Sequence, residues 1–233
     1  MTIQAFPPSS AIPIWKMKSR DKVVTLLLRK YGYTFSEELG IKLENNTPSV
    51  LFRWLCATLL FCAPISNKIA RAAATALFQH HWTTAQKMLA STWKKRTAVL
   101  NHSGYAHYDE KTSRTLADIA QFLLDHYQGD LRNLRAAAQH DPSRERELIM
   151  ECKGIGEVGA SIFFREIQTV WKEHAPFADE LSLKAARKLN LPTHAKELSK
   201  LVPQKQFPQL LAALVRCHLT KDFSTLLAAA ESV

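Results

Sequence analysis

Three glycines, Gly154, Gly156 and Gly159, stand in the stretch ECKGIGEVGASIFF with the spacing G-x-G-x-x-G, and an acid, Asp179, follows downstream. The chain holds only 7 glycines, so three in one hexapeptide need a backbone reason. Two phosphate chemistries suit the spacing. One is the turn that cradles the pyrophosphate of a nicotinamide or flavin cofactor, with an acid about this far on for the ribose. The other is a tight turn between two helices. There the glycines take backbone angles closed to other residues, and free amides meet a nucleic-acid phosphate.

The surrounding elements decide between them. A dinucleotide turn needs a buried strand just before its first glycine. Here the preceding residues, SRERELIMEC, are charged and helix-forming. Apolar residues recur at helical spacing along most of the chain, and no run alternates like a half-buried strand. The spacing predicts helices over 48–61, 67–80, 84–89, 93–101, 144–152, 180–191, 194–202 and 207–219. Further helical faces are marked by Val24, Leu27, Leu28 and Tyr31, by Leu116, Ile119, Ala120, Leu123 and Tyr127, and by Phe163, Ile167, Val170 and Trp171. Thr47 before Pro48 and Asp141 before Pro142 are helix-start signals. The expected fold class is all-α with short loops, which removes the nicotinamide or flavin reading.

The chain has 233 residues, 46% of them hydrophobic, enough for one domain or two small lobes. Formal net charge is +10, which favours a polyanionic partner, nucleic acid before an anionic membrane. Cys56, Cys62, Cys152 and Cys217 form no C-x-x-C pair and no metal-ligand spacing, and are expected to be buried free thiols. The histidines likewise show no ligand spacing. No apolar run is long enough to span a bilayer, and no signal peptide is visible, so a cytoplasmic protein is expected. Residues 1–17 are expected to be a flexible terminus.

A helix, the turn KGIG and a second helix make a helix-hairpin-helix. Its candidate backbone-binding residues are Lys153, Gly154, Ile155, Gly156, Val158 and Gly159. Such a contact is indifferent to base sequence and sensitive to salt. An ordinary corner between two helices with a glycine C-cap would use the same residues. Downstream, FADELSLKAARKLNLP places Asp179 just ahead of a helix, where aspartate is also a good N-cap.

The hairpin CKGIGEVGAS together with the spaced segment FADELSLKAARKLNLP resembles the helix-hairpin-helix DNA glycosylase superfamily, whose best-known branch is endonuclease III. The resemblance extends over roughly residues 20 to 220. It implies a two-lobed helical fold: a barrel lobe over 47–165 ending in the hairpin, and a second lobe of 18–46 plus 166–233 carrying Asp179. It also implies double-stranded DNA lying across the cleft between the lobes, base-excision repair, and Asp179 as the catalytic carboxylate. Where the nicking branch carries its Schiff-base lysine, two residues after the second hairpin glycine, this chain has Val158. The implied activity is therefore a monofunctional glycosylase that removes a flipped base and leaves the strand intact.

The four-cysteine iron–sulfur loop of many relatives is missing, so no such cofactor is expected, and Ala63 falls near the place of their pocket glutamine. Alkylated or deaminated bases are the favoured substrates. Tyr105, His107 and Tyr108 are candidate pocket residues, and the carbonyls of Cys152 and Gly154 are candidate ligands for a monovalent cation. Lys68, Arg71, Lys94, Lys95 and Arg96 could track phosphates. A monomer is expected. The alternatives are a catalytically silent DNA-binding module of the same fold, or an abasic-site lyase or endonuclease.

Overall fold

Capping residues written in the sequence start half of the helices. The Thr47, Ser66, Thr84, Thr92 and Asp141 side chains each accept the backbone N–H three residues on, which satisfies one of the orphan amides of a first turn. A computed structural model describes residues 19–232; the expectation for residues 1–17 lies outside them. Among the described residues there is no strand. The helices are α1 (Ser19–Tyr31), α2 (Phe35–Glu38), α3 (Pro48–Phe61), α4 (Asn67–Gln79), α5 (Ala85–Ala90), α6 (Trp93–Leu100) and α7 (Asp109–Tyr127). They continue as α8 (Leu131–Ala137), α9 (Pro142–Met150), α10 (Glu157–Ile167), α11 (Glu180–Lys188), α12 (Ala195–Leu198), α13 (Phe207–Thr220) and α14 (Phe223–Glu231). No helix among them is long and apolar enough to cross a membrane.

The chain divides into two compact units, one spanning Thr34–Asp179, the other joining the segment that ends at Tyr33 to the segment that begins at Glu180. These boundaries differ from the expected 47–165. Segments 34–46 and 166–179 both belong with the hairpin, and buried polar contacts explain why. The Glu166 carboxylate, fully buried, accepts the amides of Phe35 at 2.8 Å and Ser36 at 2.9 Å. Trp171 Nε1 donates to Asn46 Oδ1 at 3.4 Å. Asp179 closes this unit instead of opening the other.

Within the unit 34–179, α3 is apolar almost all round and accordingly buried. Trp54 has no exposure and donates its indole N–H to the Phe163 carbonyl at 3.1 Å, so α3 and α10 share one core. Trp171, also fully buried, packs edge-on to Phe163 at 5.7 Å. It lies beyond α10, which stops at Ile167, short of what the helical spacing of Val170 and Trp171 predicts.

In the other unit, α13 is the buried helix; α1 and α11 pack on it, and α14 packs on α1. Asp222, between α13 and α14, accepts Lys30 Nζ at 2.6 Å and the Tyr31 hydroxyl at 2.8 Å. The lysine bond holds its carboxyl below the usual 3.8. A depressed acid adds stability that is fully present above that value and is lost as the pH falls through the lowered one. Asp222→Asn is therefore expected to lower Tm by about 2–4 °C near neutral pH, with the gap closing as the pH falls below 3.8. Thermal melts of both proteins across acid pH check this.

Candidate functional site

Helix α9, the turn 151–156 and α10 build the expected helix-hairpin-helix. The Cys152 amide returns to the Ile149 carbonyl at 3.1 Å, and the Ile155 amide to the Cys152 carbonyl at 2.9 Å. Of the two carbonyls expected to bind a cation, that of Cys152 already accepts a hydrogen bond. Gly154 sits at φ +83°, in the left-handed region, and a Cβ there would come within 2.8 Å of Leu59 Cδ1 and 2.9 Å of Thr115 Cγ2. Gly156 departs from expectation. Its φ of −96° and ψ of −162° are open to any residue, and a Cβ on it would meet empty space. Gly159 serves close approach, but to α3 more than to α9: a Cβ would lie 3.0 Å from Cys62 Sγ and 3.1 Å from Ile155 Cγ2.

Gly156 begins α10 without a capping side chain. The amides of Glu157, Val158 and Gly159, the first turn, have no intrahelical acceptor and carry the positive end of the helix dipole. Val158 is 68% exposed on this turn, an unusual place for a large apolar side chain. Lys153 is exposed and paired with Asp118 of α7 at 2.6 Å. Ile155 is buried and anchors the turn from beneath. Arg146 of α9 reaches across to α10, donating to the Glu157 carbonyl at 3.2 Å and to Ser161 Oγ at 3.0 Å. Arg146 also pairs with the Glu157 carboxylate at 2.5 Å, so both basic side chains at this edge are held by acids and the first-turn amides are what it offers an anion.

Asp179 is buried, 5% exposed, and its Oδ2 accepts Arg165 NH1 of α10 at 3.0 Å. Arg165 is equally buried, and its guanidinium lies over the Phe35 ring at 5.2 Å from the centroid. Gln168 fixes the segment leading to the acid. Its Nε2 donates to the Arg165 carbonyl at 2.7 Å and the Phe177 carbonyl at 2.9 Å, and its Oε1 accepts the Phe177 amide at 3.0 Å. Neither Arg165 nor Gln168 is among the residues the sequence singles out. The available signal is a charged pair, Arg165 and Glu166, set between Phe164 and Ile167 in an otherwise apolar stretch.

The pocket candidates separate. Tyr105 is buried at 2% exposure and edge-on to Tyr108 at 6.3 Å, and burial raises its phenol above the usual range. It serves the core around α7. His107 is exposed, and Tyr108 and Ala63 are half-buried. The segment before them is helical further than the sequence suggests: α6 runs into a π-helical turn, Asn101–Tyr105, in which Ser103 Oγ donates to the Leu100 carbonyl at 2.7 Å. Of the basic candidates, Lys68, Lys94 and Lys95 are exposed. Arg71 pairs with Glu38. Arg96 is buried at 4% and donates to the carbonyls of Ser113 at 3.0 Å and Met88 at 3.1 Å, so it braces α5 to α7 and does not track phosphate. The four cysteines are free thiols, and burial pushes Cys62 and Cys217 up to about 11.

No protein-family model and no curated protein matches the chain. Among solved structures, a non-covalent endonuclease III–DNA complex is similar at 15% identity over 86% of this chain and 86% of the other, with a TM-score of 0.54. A trapped endonuclease III–DNA covalent intermediate, an estranged-adenine complex, is similar at 15% identity over 72% of this chain and 73% of the other; its TM-score of 0.47 is too low to carry an argument. The likeness establishes the fold: the chain is all-helical and folds as endonuclease III does.

Proposed function

We propose that the protein is a DNA glycosylase that acts without a covalent lysine, releasing a damaged or mismatched base from double-stranded DNA, with alkylated or deaminated bases favoured. The observation that carries this reading is the uncapped hairpin edge at Gly154–Gly159 on an endonuclease III fold, with Asp179 held on the same unit. The first-turn amides of α10 take one DNA phosphate, and Lys153 and Arg146 add charge beside it by leaving Asp118 and Glu157. The net charge of +10 draws the duplex in.

Breaking a base–sugar bond develops positive charge on the deoxyribose, as in glycoside hydrolysis, and a carboxylate facing it lowers the barrier. Asp179 takes that role. Its bond to Arg165 offsets part of its field, so it acts mainly by orienting the attacking water. A panel of lesion-bearing duplexes, each incubated with the protein and then treated with alkali, tests the proposal. Cleavage only after alkali is the expected outcome. The same ion pair favours a second reading, a DNA-binding module without catalysis. Binding with no cleavage on any lesion would leave that reading standing.

Val158 provides a separate check. Because its side chain is 68% exposed, a lysine there would reach solvent without disturbing the core. Val158→Lys is expected to change stability by no more than about 0.5 kcal/mol. It is expected to create a borohydride-trappable adduct with abasic duplex that the native chain does not form. Failure to trap while duplex binding persists would place the hairpin away from the sugar.

A further inference from the structure

Three charged side chains and two imidazoles meet where the end of α8, the first turn of α9 and the short turn Lys172–His174 come together. Glu145 of α9 has no exposure. Its Oε2 meets His174 Nε2 at 2.5 Å, while its Oε1 is buried and meets no nitrogen or hydroxyl donor; its carboxyl can hydrogen-bond only to that of Glu173, through a shared proton. Arg135 Nε lies 3.9 Å from that oxygen, too far to satisfy it. Two adjoining carboxyls out of water cannot both stay charged unless a proton or a cation lies between them.

The groups around Oε1 are suited to a cation. Glu173 sits beside it, its carboxylate gripped by Arg135 through bonds of 2.5 and 2.7 Å. His140 presents Nδ1 at 3.6 Å from Glu173 Oε1. One ligand atom each from His140, Glu145 and Glu173 lies within 4.8 Å of the others. We propose that Glu145, Glu173 and His140 form a site for a divalent cation of the zinc class. Two carboxylate oxygens and an imidazole are a donor set that zinc accepts, and three protein ligands leave a place for water.

The remaining partners then have the positions that outer groups take around a bound metal. His174 holds Glu145 by the oxygen that faces away from the ion, and Arg135 orients Glu173. A carboxylate oxygen has lone pairs enough to accept from arginine and coordinate at once. His174 is itself fixed by stacking on Phe164 at 4.1 Å. The donors must close inward by about 1 Å to reach zinc–ligand lengths. His140, whose side chain is 57% exposed, is the ligand with room to move and the route by which the ion enters. A bound ion would fasten α8, α9 and the 172–174 turn together. The site does not depend on the DNA reading.

The test uses the full chain stripped with a chelator and titrated with Zn2+ alone, by calorimetry and by thermal melting. One ion per chain is expected, with Tm rising by roughly 5–10 °C at a hundredfold excess over Kd. His140→Ala, a surface change that leaves the buried groups in place, is expected to weaken binding at least tenfold, and Glu145→Gln to abolish it. No binding by the native chain overturns the proposal. Binding of equal affinity by His140→Ala also overturns it, because the ion would then sit elsewhere.

Discussion

Asp179→Asn is expected to lose about 3–5 kcal/mol of stability together with base-release activity. The two losses have different origins. Arg165 and Asp179 are both about nineteen-twentieths buried, and their contact is 3.0 Å. An asparagine can still accept one hydrogen bond but leaves the buried guanidinium with Glu166 alone as a nearby negative charge. On a chain of this size the loss lowers Tm by roughly 10 °C. Urea unfolding of the native chain, Asp179→Asn, Arg165→Gln and the double variant measures it. The double variant is expected to recover part of the stability and none of the activity. If the single variants unfold like the native chain, the pair contributes nothing to stability. If folded Asp179→Asn still releases the base at the native single-turnover rate, the acid is structural and the catalytic assignment is wrong.

The hairpin glycines are expected to respond unequally. Gly154→Ala should cost about 2–4 kcal/mol, Gly156→Ala no more than about 1. At Gly154 the backbone is left-handed, and a methyl group would press on the Leu59 and Thr115 side chains below 3 Å, so both must give way. At Gly156 the backbone is extended and the space is empty. Because the left-handed turn leads directly into the first turn of α10, the alanine variant is also expected to bind duplex more weakly even where it is folded. Urea midpoints and fluorescence anisotropy on a plain duplex separate the two effects. Equal costs at the two positions would contradict the described turn.

The helices were legible because the chain announces their starts. Thr47–Pro48 and Asp141–Pro142 predict α3 and α9, and both caps are made through side-chain oxygens. Short helices without a long apolar face, α2, α8 and α14, were not legible: tertiary burial, not periodicity, holds them. Trp171 misled for the same reason. Its spacing continues the apolar face of α10, yet it is buried from a turn, and core contact does not require helix. The hairpin and Asp179 stood out by glycine spacing and by the acid before a helix. Arg165, Gln168 and the Glu145 cluster did not, because their partners lie far along the chain and no local rule links Arg135 to Glu173 or Gln168 to Phe177. The expected edge of the hairpin unit was misplaced on the same grounds. Glu166, read as a boundary, is the residue that ties α10 to α2.

The Gln168 clamp has a consequence in time. Phe177 is held on both its amide and its carbonyl by one side chain, and Asp179 follows two residues on. Loops that carry reacting groups commonly order only when a ligand arrives, and that ordering subtracts from affinity. Here the segment is already fastened to the end of α10, so in the proposed reaction the acid would wait in place and the encounter with DNA would need no search by this part of the chain. The Phe177 amide should accordingly exchange with solvent only when α10 itself opens, at a rate that adding DNA leaves unchanged.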